Sequence, residues 1–145
     1  MKTKLLSAFL LIFFAASIII YGCKKKKEDT TAAASTNADY AGTWNVNETC
    51  TSAWTYAMTA AATGSNGLTL TNFHKGTFAN GYTINATISD KTITIPSQTA
   101  SCTSQGGPFT FAGSGTFTPP SSMSITYTMK DTGGNTISCT ANCTK

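Results

Sequence analysis

From Thr43 to the end of the chain, apolar and polar residues alternate with period two, and no segment carries an apolar stripe at helical spacing. The alternation predicts eight strands, over 43–50, 54–62, 67–73, 82–89, 91–96, 109–118, 123–130 and 135–144. Gly64-Ser65-Asn66-Gly67, Ser89-Asp90-Lys91, Pro119-Pro120 and Asp131-Thr132-Gly133-Gly134-Asn135 separate them with residues suited to tight turns. Links this short make consecutive strands antiparallel neighbours, so the pattern reads as a meander. Two longer loops interrupt it, at 74–81 and 97–108.

One face of these strands is apolar. It collects Trp44 and Val46, then Trp54, Tyr56 and Met58, then Leu68 and Leu70, and continues through Tyr82, Ile84, Ile88, Ile93, Ile95, Phe109, Phe111 and Phe117 to Met123, Ile125, Tyr127, Met129 and Ile137. The other face is rich in threonine, which keeps strand propensity while offering a hydroxyl to water. The expected fold is therefore all-β, a single antiparallel eight-stranded meander closing into a small barrel, with a β-sandwich as the alternative. Closure also removes exposed strand edges. About twenty bulky inward residues crowd an interior that has room for side chains or for one small ligand.

The first residues follow a different pattern. Lys2 and Lys4 precede an almost wholly apolar run from Leu5 to Ile20. As a helix this run spans roughly 24 Å, short of the ~30 Å bilayer core and typical of a signal peptide. It ends in Ile20-Tyr21-Gly22-Cys23, which resembles the lipobox of bacterial lipoproteins. That resemblance implies cleavage before Cys23, a diacylglycerol on its sulfur and a further acyl chain such as palmitate on the new N-terminus. Two or three chains hold a protein stably to a membrane, where one is marginal. The expected organisation is a signal peptide over 1–22, a lipidated cysteine with a polar tether over 23–39, and a barrel domain over 40–145.

Behind the cysteine, Lys27-Glu28-Asp29 resembles the export signal that sends Bacteroidota lipoproteins to the outside of the outer membrane. The expected location is the exterior of the cell outer membrane, with its periplasmic face as the alternative. Asp29-Thr30-Thr31 fits the O-glycosylation tripeptide of the same bacteria, which makes Thr30 a candidate acceptor. The stretch from Thr30 to Asp39 has nothing to bury and reads as a spacer. Gly42-Thr43-Trp44 resembles the G-x-W signature of lipocalins, whose tryptophan closes one barrel end beneath an arginine. This chain has no arginine. A broader likeness is to small Bacteroidota lipoproteins that share a first strand ending near a cysteine, an Ile-Pro-x-Gln segment (Ile95-Pro96-Ser97-Gln98) and a Cys-Thr-Ala strand (Cys139-Thr140-Ala141).

Charge narrows the function. Of the ten lysines, six lie within the first 27 residues, leaving Lys75, Lys91, Lys130 and Lys145 in the strand region. A nucleic-acid binder needs a basic face, and that region is nearly neutral. Cys50, Cys102, Cys139 and Cys143 form an even set in an exported domain, which implies two disulfides among three connectivities. If the first and last strands close the barrel antiparallel, Cys50 faces Cys139. Cys143 then lies roughly 13 Å farther along, left for Cys102 on the long loop. The expected bridges are Cys50–Cys139 and Cys102–Cys143. Cys139-x-x-x-Cys143 has ligand spacing, but there is no CxxC pair and the one histidine, His74, falls in a polar loop where it should be solvated. No metal or cofactor is expected.

Catalysis has little to work with: His74, a few acids and no nucleophile-elbow motif. Glu48 alone is out of place. Its parity with Trp44, Val46 and Cys50 aims it inward, either as a polar contact in a ligand pocket or at a rim or bulge that lets it reach water. The sequence thus points to a non-catalytic, membrane-anchored module that is structural or interacting. The alternative is a lipocalin-like binder of a small apolar ligand or a glycan, and a protein partner is also open.

Overall fold

A computed structural model describes residues 35–104 and 107–145. Cys23, Lys27, Glu28, Asp29 and Thr30 lie outside them. Eight strands form a closed barrel in sequence order: β1 (Gly42–Thr49), β2 (Ala53–Thr63), β3 (Gly67–Phe73), β4 (Tyr82–Ser89), β5 (Thr92–Cys102), β6 (Gly107–Thr118), β7 (Ser122–Lys130) and β8 (Thr136–Thr144). All neighbours are antiparallel, and β1 closes on β8 through a register that sets Val46 opposite Cys143 and Glu48 opposite Ala141. The sandwich alternative is thereby excluded.

Strict alternation carries the closure. Along β1, β4 and β7 every second side chain is buried and the residues between are largely exposed, so the inward set becomes one continuous core. Trp44, Leu70, Ile84, Ile93 and Ile125 are fully enclosed. Trp54, Phe109 and Ile137 are only partly covered, at the periphery of that core.

The two barrel ends differ. At one end a short helix, α1 (Asn37–Tyr40), plugs the opening. Tyr40 is fully buried, stacks on Phe117 with ring centroids 4.3 Å apart, and donates its hydroxyl to the Asp90 carbonyl at 2.9 Å. Trp44 donates its indole N–H to the Tyr40 carbonyl at 2.8 Å. Asn37, assigned by its composition to the spacer, instead donates its amide to the Gly64 and Gly67 carbonyls in the β2–β3 turn, at 3.0 and 3.2 Å. A lysine caps this end: Lys145 Nζ lies 4.6 Å from the Trp44 ring centroid and donates to the Asp39 and Ala41 carbonyls at 2.9 and 2.7 Å.

The other end carries the loops. β5 runs to Cys102, well past the expected 96, and reduces the long loop there to a few residues. A bulge makes this work, because Ile95 pairs with Gly113 while Gln98 pairs with Phe111, leaving Pro96 and Ser97 opposite one residue. The Gln98 side chain then stands in for a strand. Its oxygen accepts from the Asn85 N–H at 2.8 Å, and its amide nitrogen donates to the Asn85 carbonyl at 2.6 Å.

Candidate functional site

Beneath the loop end lie Glu48 and His74, the buried acid and base among the described residues. Glu48 points inward, as its parity requires, and no bulge turns it out. Both Tyr56 on β2 and Tyr127 on β7 donate their hydroxyls to Glu48 Oε1, the former at 2.9 Å. Oε2 lies 3.1 Å from His74 Nδ1. It makes no aligned hydrogen bond, so this contact is electrostatic.

The network assigns a tautomer. Tyr127 has one hydrogen and gives it to Glu48, so its oxygen must accept from His74 Nδ1, 2.7 Å away. Nδ1 therefore carries a proton. Tyr56 is used in the same way, since its oxygen accepts the His74 backbone N–H at 3.0 Å while its hydrogen goes to Glu48. Burial, followed by the charge on Glu48 and the hydrogen bond to it, raises both phenols above their usual range. They act here as donors.

His74 is not the solvated loop residue that its polar neighbours suggested; it is 7% exposed. The β3–β4 register slips between Thr71 and Phe73, and Asn72 and His74 both adopt left-handed backbone, with φ of 61° and 50°. The slip turns the consecutive residues Phe73 and His74 inward together. Asparagine and histidine both tolerate that backbone better than most side chains, still at a cost of about 1–2 kcal/mol each. The tertiary structure bears this strain at the polar cluster. Gly81 permits the tight return, because a Cβ there would lie 2.5 Å from the Asn72 carbonyl carbon. On β6, Gly113 faces Tyr127 and leaves that tyrosine room at its base, where an added Cβ would sit 2.5 Å from the Tyr127 Cβ.

Aromatic rings wall the cluster. Trp54 meets the His74 ring edge-on at 5.9 Å, and Phe73, Tyr82 and Phe111 stack around Tyr127 and His74. The Tyr82 hydroxyl is buried without a hydrogen-bond partner, and burial raises that phenol to about 12.

The cysteines divide by barrel end. Cys50 and Cys139 form a disulfide with Cα atoms 4.3 Å apart, across the β1–β8 seam as expected from parity. The expected Cys102–Cys143 bridge does not form, and both thiols are free. Cys102 ends β5 at the loop end, whereas Cys143 pairs with Met123 near the start of β7 at the helix end. The 13 Å that separates Cys143 from Cys139 therefore runs away from the loop, not toward it. Cys102 Sγ contacts the Asn80 carbonyl at 3.3 Å and Ser104 Oγ at 3.1 Å. Cys143 is buried; loss of water, with the Glu48 charge second, pushes its thiol up to about 12.

The donors that lie together are not those of Cys139-x-x-x-Cys143. Cys50 Sγ, Cys139 Sγ and a ring nitrogen of His74 fall within 4.8 Å of one another. His74 is remote from both cysteines in sequence and sits outside the strand alternation, so nothing in the chain's spacing marked this group.

No protein-family model matches the chain, and no curated protein matches it. Solved structures do resemble it. A barrel called EF1p2_mFAP2b, bound to DFHBI, aligns with a TM-score of 0.59 at 14% identity, over 74% of this chain and 94% of that one. A redesigned beta barrel, mFAP1, also bound to DFHBI, aligns at 0.56 and 17% identity over 75% and 97%. Another redesigned barrel, b11L5F_LGL, aligns at 0.55 and 18% identity over 75% and 93%. At such identities the likeness is one of fold alone.

Proposed function

We propose that this chain is a membrane-anchored lipoprotein whose non-catalytic barrel is an interaction module, with recognition at the loop end and not in a hollow interior. The lipobox-like Ile20-Tyr21-Gly22-Cys23 supports the anchor, and Lys27-Glu28-Asp29 supports display on the exterior of an outer membrane. The small Bacteroidota lipoproteins it resembles suit the same address. The observation that carries the reading is the filled middle of the barrel: Met58, Leu70, Ile84, Ile95 and Ile125 are at most 2% exposed, and α1 seals the far end. The buried polar pair Glu48 and His74 lies beneath the loops at the other end, where Phe78 is 45% exposed.

A second reading, a lipocalin-like binder of a small apolar ligand or glycan, is favoured by one observation. Barrels of this fold, EF1p2_mFAP2b and mFAP1, are bound to DFHBI.

Two measurements test the proposal. Cys23→Ser should abolish incorporation of labelled fatty acid and leave an unprocessed precursor; a variant still labelled and cleaved would refute the anchor. Residues 35–145 form a closed barrel with its own core, so thermal melts of that fragment separate the two readings. A ligand that binds only the folded barrel adds about 2.7 kcal/mol at a hundred times its dissociation constant. Fatty acids, haem and oligosaccharides should leave the midpoint unchanged. A reproducible rise of several degrees with any of them would move the conclusion to the second reading.

A further inference from the structure

Cys50 and Cys139 lie on adjoining edges of the β1–β8 seam, and His74 is brought over them by the β3 bulge. We propose that, once the Cys50–Cys139 disulfide is reduced, the loop end becomes a zinc site held by the two thiolates and the His74 imidazole.

The donor set suits the ion. Zinc in proteins takes sulfur at about 2.3 Å and imidazole nitrogen at about 2.0 Å, so tetrahedral donors lie about 3.3–3.8 Å apart. The three donor atoms already fall within 4.8 Å of one another, and the main adjustment the site needs is the parting of the two sulfurs on reduction. Two thiolates and one imidazole leave a fourth position for water. The imidazole is already oriented for the task. Tyr127 at 2.7 Å and Glu48 Oε2 at 3.1 Å hold Nδ1 from behind and fix the ring beside the two sulfurs. A carboxylate behind a ligating histidine fixes its tautomer and raises its basicity. Glu48, itself held by Tyr56 and Tyr127, is thus a positioning residue for the site.

The chemistry balances with a dithiol as reductant. Its thiolate attacks the Cys50 sulfur, the half-buried member of the pair, and a second thiolate completes the exchange. The S–S bond breaks, two protein thiols form, and the dithiol leaves as its own disulfide. Zinc then displaces two thiol protons to solvent. A small-molecule disulfide reverses the exchange: it takes two electrons from the thiolates, leaves as two thiols, and the re-formed S–S bond releases the ion. The bridge is not the sole closure of the barrel, because backbone pairing also joins β1 to β8 from Asn45–Thr144 to Thr49–Thr140. Cys143 is not one of the donors that lie together.

The test uses the barrel fragment 35–145 carrying Cys102→Ser and Cys143→Ala, in reduced and oxidised forms, with zinc and with cobalt(II) as a spectroscopic stand-in. The reduced protein should bind a single ion, release protons on binding zinc, and show thiolate-to-cobalt charge transfer with tetrahedral d–d bands. The oxidised protein should show none of these. His74→Gln should weaken binding at least tenfold and alter the d–d bands. Glu48→Gln should weaken it about 10- to 100-fold while leaving the cobalt spectrum tetrahedral with the same charge transfer. Circular dichroism of each reduced form verifies the barrel. Reduced protein that takes up no cobalt, binds equally well without His74, or unfolds and stays unfolded with zinc present would overturn the proposal.

Discussion

A carboxylate sealed from water is costly unless donors surround it. Glu48 has Tyr56 and Tyr127 on one oxygen and His74 beside the other, so each tyrosine matters for its hydroxyl as well as its ring. Tyr127→Phe keeps the ring but removes a donor to Glu48 and the acceptor for His74 Nδ1. It should destabilise the barrel by about 1–3 kcal/mol in urea unfolding. The same neighbourhood predicts alkaline sensitivity. Cys143, Tyr56 and Tyr127 all have folded pKa values raised above their free ones, so the fold binds their protons more tightly than the unfolded chain does. Their stabilising contribution is complete below the unfolded values, near 9.0 for the thiol and 10.0 for the phenols. It is lost as pH rises from there, through about 12 for Cys143. Unfolding free energy should therefore fall between pH 9 and 11, and Cys143→Ala should flatten that slope. A slope identical in the variant would mean that the thiol is not the early titrating group.

Strands in a closed barrel must keep their inward faces aligned while the sheet bends, and two bulges in this one absorb the mismatch. In β3 the slip between Thr71 and Phe73 delivers His74 to the interior. In β5 the slip at Pro96 and Ser97 opens the β4 ladder, which pairs with β5 only from Thr87 to Ser89. Gln98 restores the missing pair of hydrogen bonds by presenting an amide edge to Asn85, as a backbone unit would. Gln98→Ala should lose about 1–2 kcal/mol and, more specifically, speed hydrogen exchange at the Asn85 amide well above that of its β4 neighbours. Unchanged protection at Asn85 would show that the side-chain bridge is not what holds the edge. The Ile-Pro-x-Gln segment is legible as a motif at which the expected strand ends at residue 96; the side-chain bridge that carries the strand onward to Cys102 becomes visible only once β4 lies beside it.

The barrel as a whole is closed at one end, filled through the middle and carries the buried Glu48–His74 cluster at the other. α1, Tyr40, Trp44 and Lys145 form the plug, and the Cys50–Cys139 bridge ties the first strand to the last across 89 residues. Closing a loop of that length stabilises by about 4–5 kcal/mol in the chain-entropy account. If the filled interior is the core, Phe111→Ala should cost about 3–5 kcal/mol, the penalty of a large cavity, measured by chemical denaturation of the fragment 35–145. A loss below 1 kcal/mol would mean that Phe111 borders open space. If the chain is anchored and exported as proposed, replacing Lys27, Glu28 and Asp29 by alanine should lower protease-accessible protein on intact cells while total membrane-bound protein stays constant. Equal shaving of both forms would refute the export reading.

Period-two patterning by itself determined the number of strands, their antiparallel order, most of the inward face and the Cys50–Cys139 pairing. Each of these follows from the two-residue repeat of an extended chain and short turns. The inward aim of Glu48 belongs to the same class, because β1 runs without a bulge. What tertiary structure decided begins where that repeat is broken or where distant strands meet. A bulge reverses parity without any compositional mark, which hid His74, and a strand's direction assigns Cys102 and Cys143 to opposite barrel ends. Which buried groups become partners depends on barrel closure: Tyr127 reaches Glu48 across 79 residues, and Lys145 reaches the helix that opens the fold across 106.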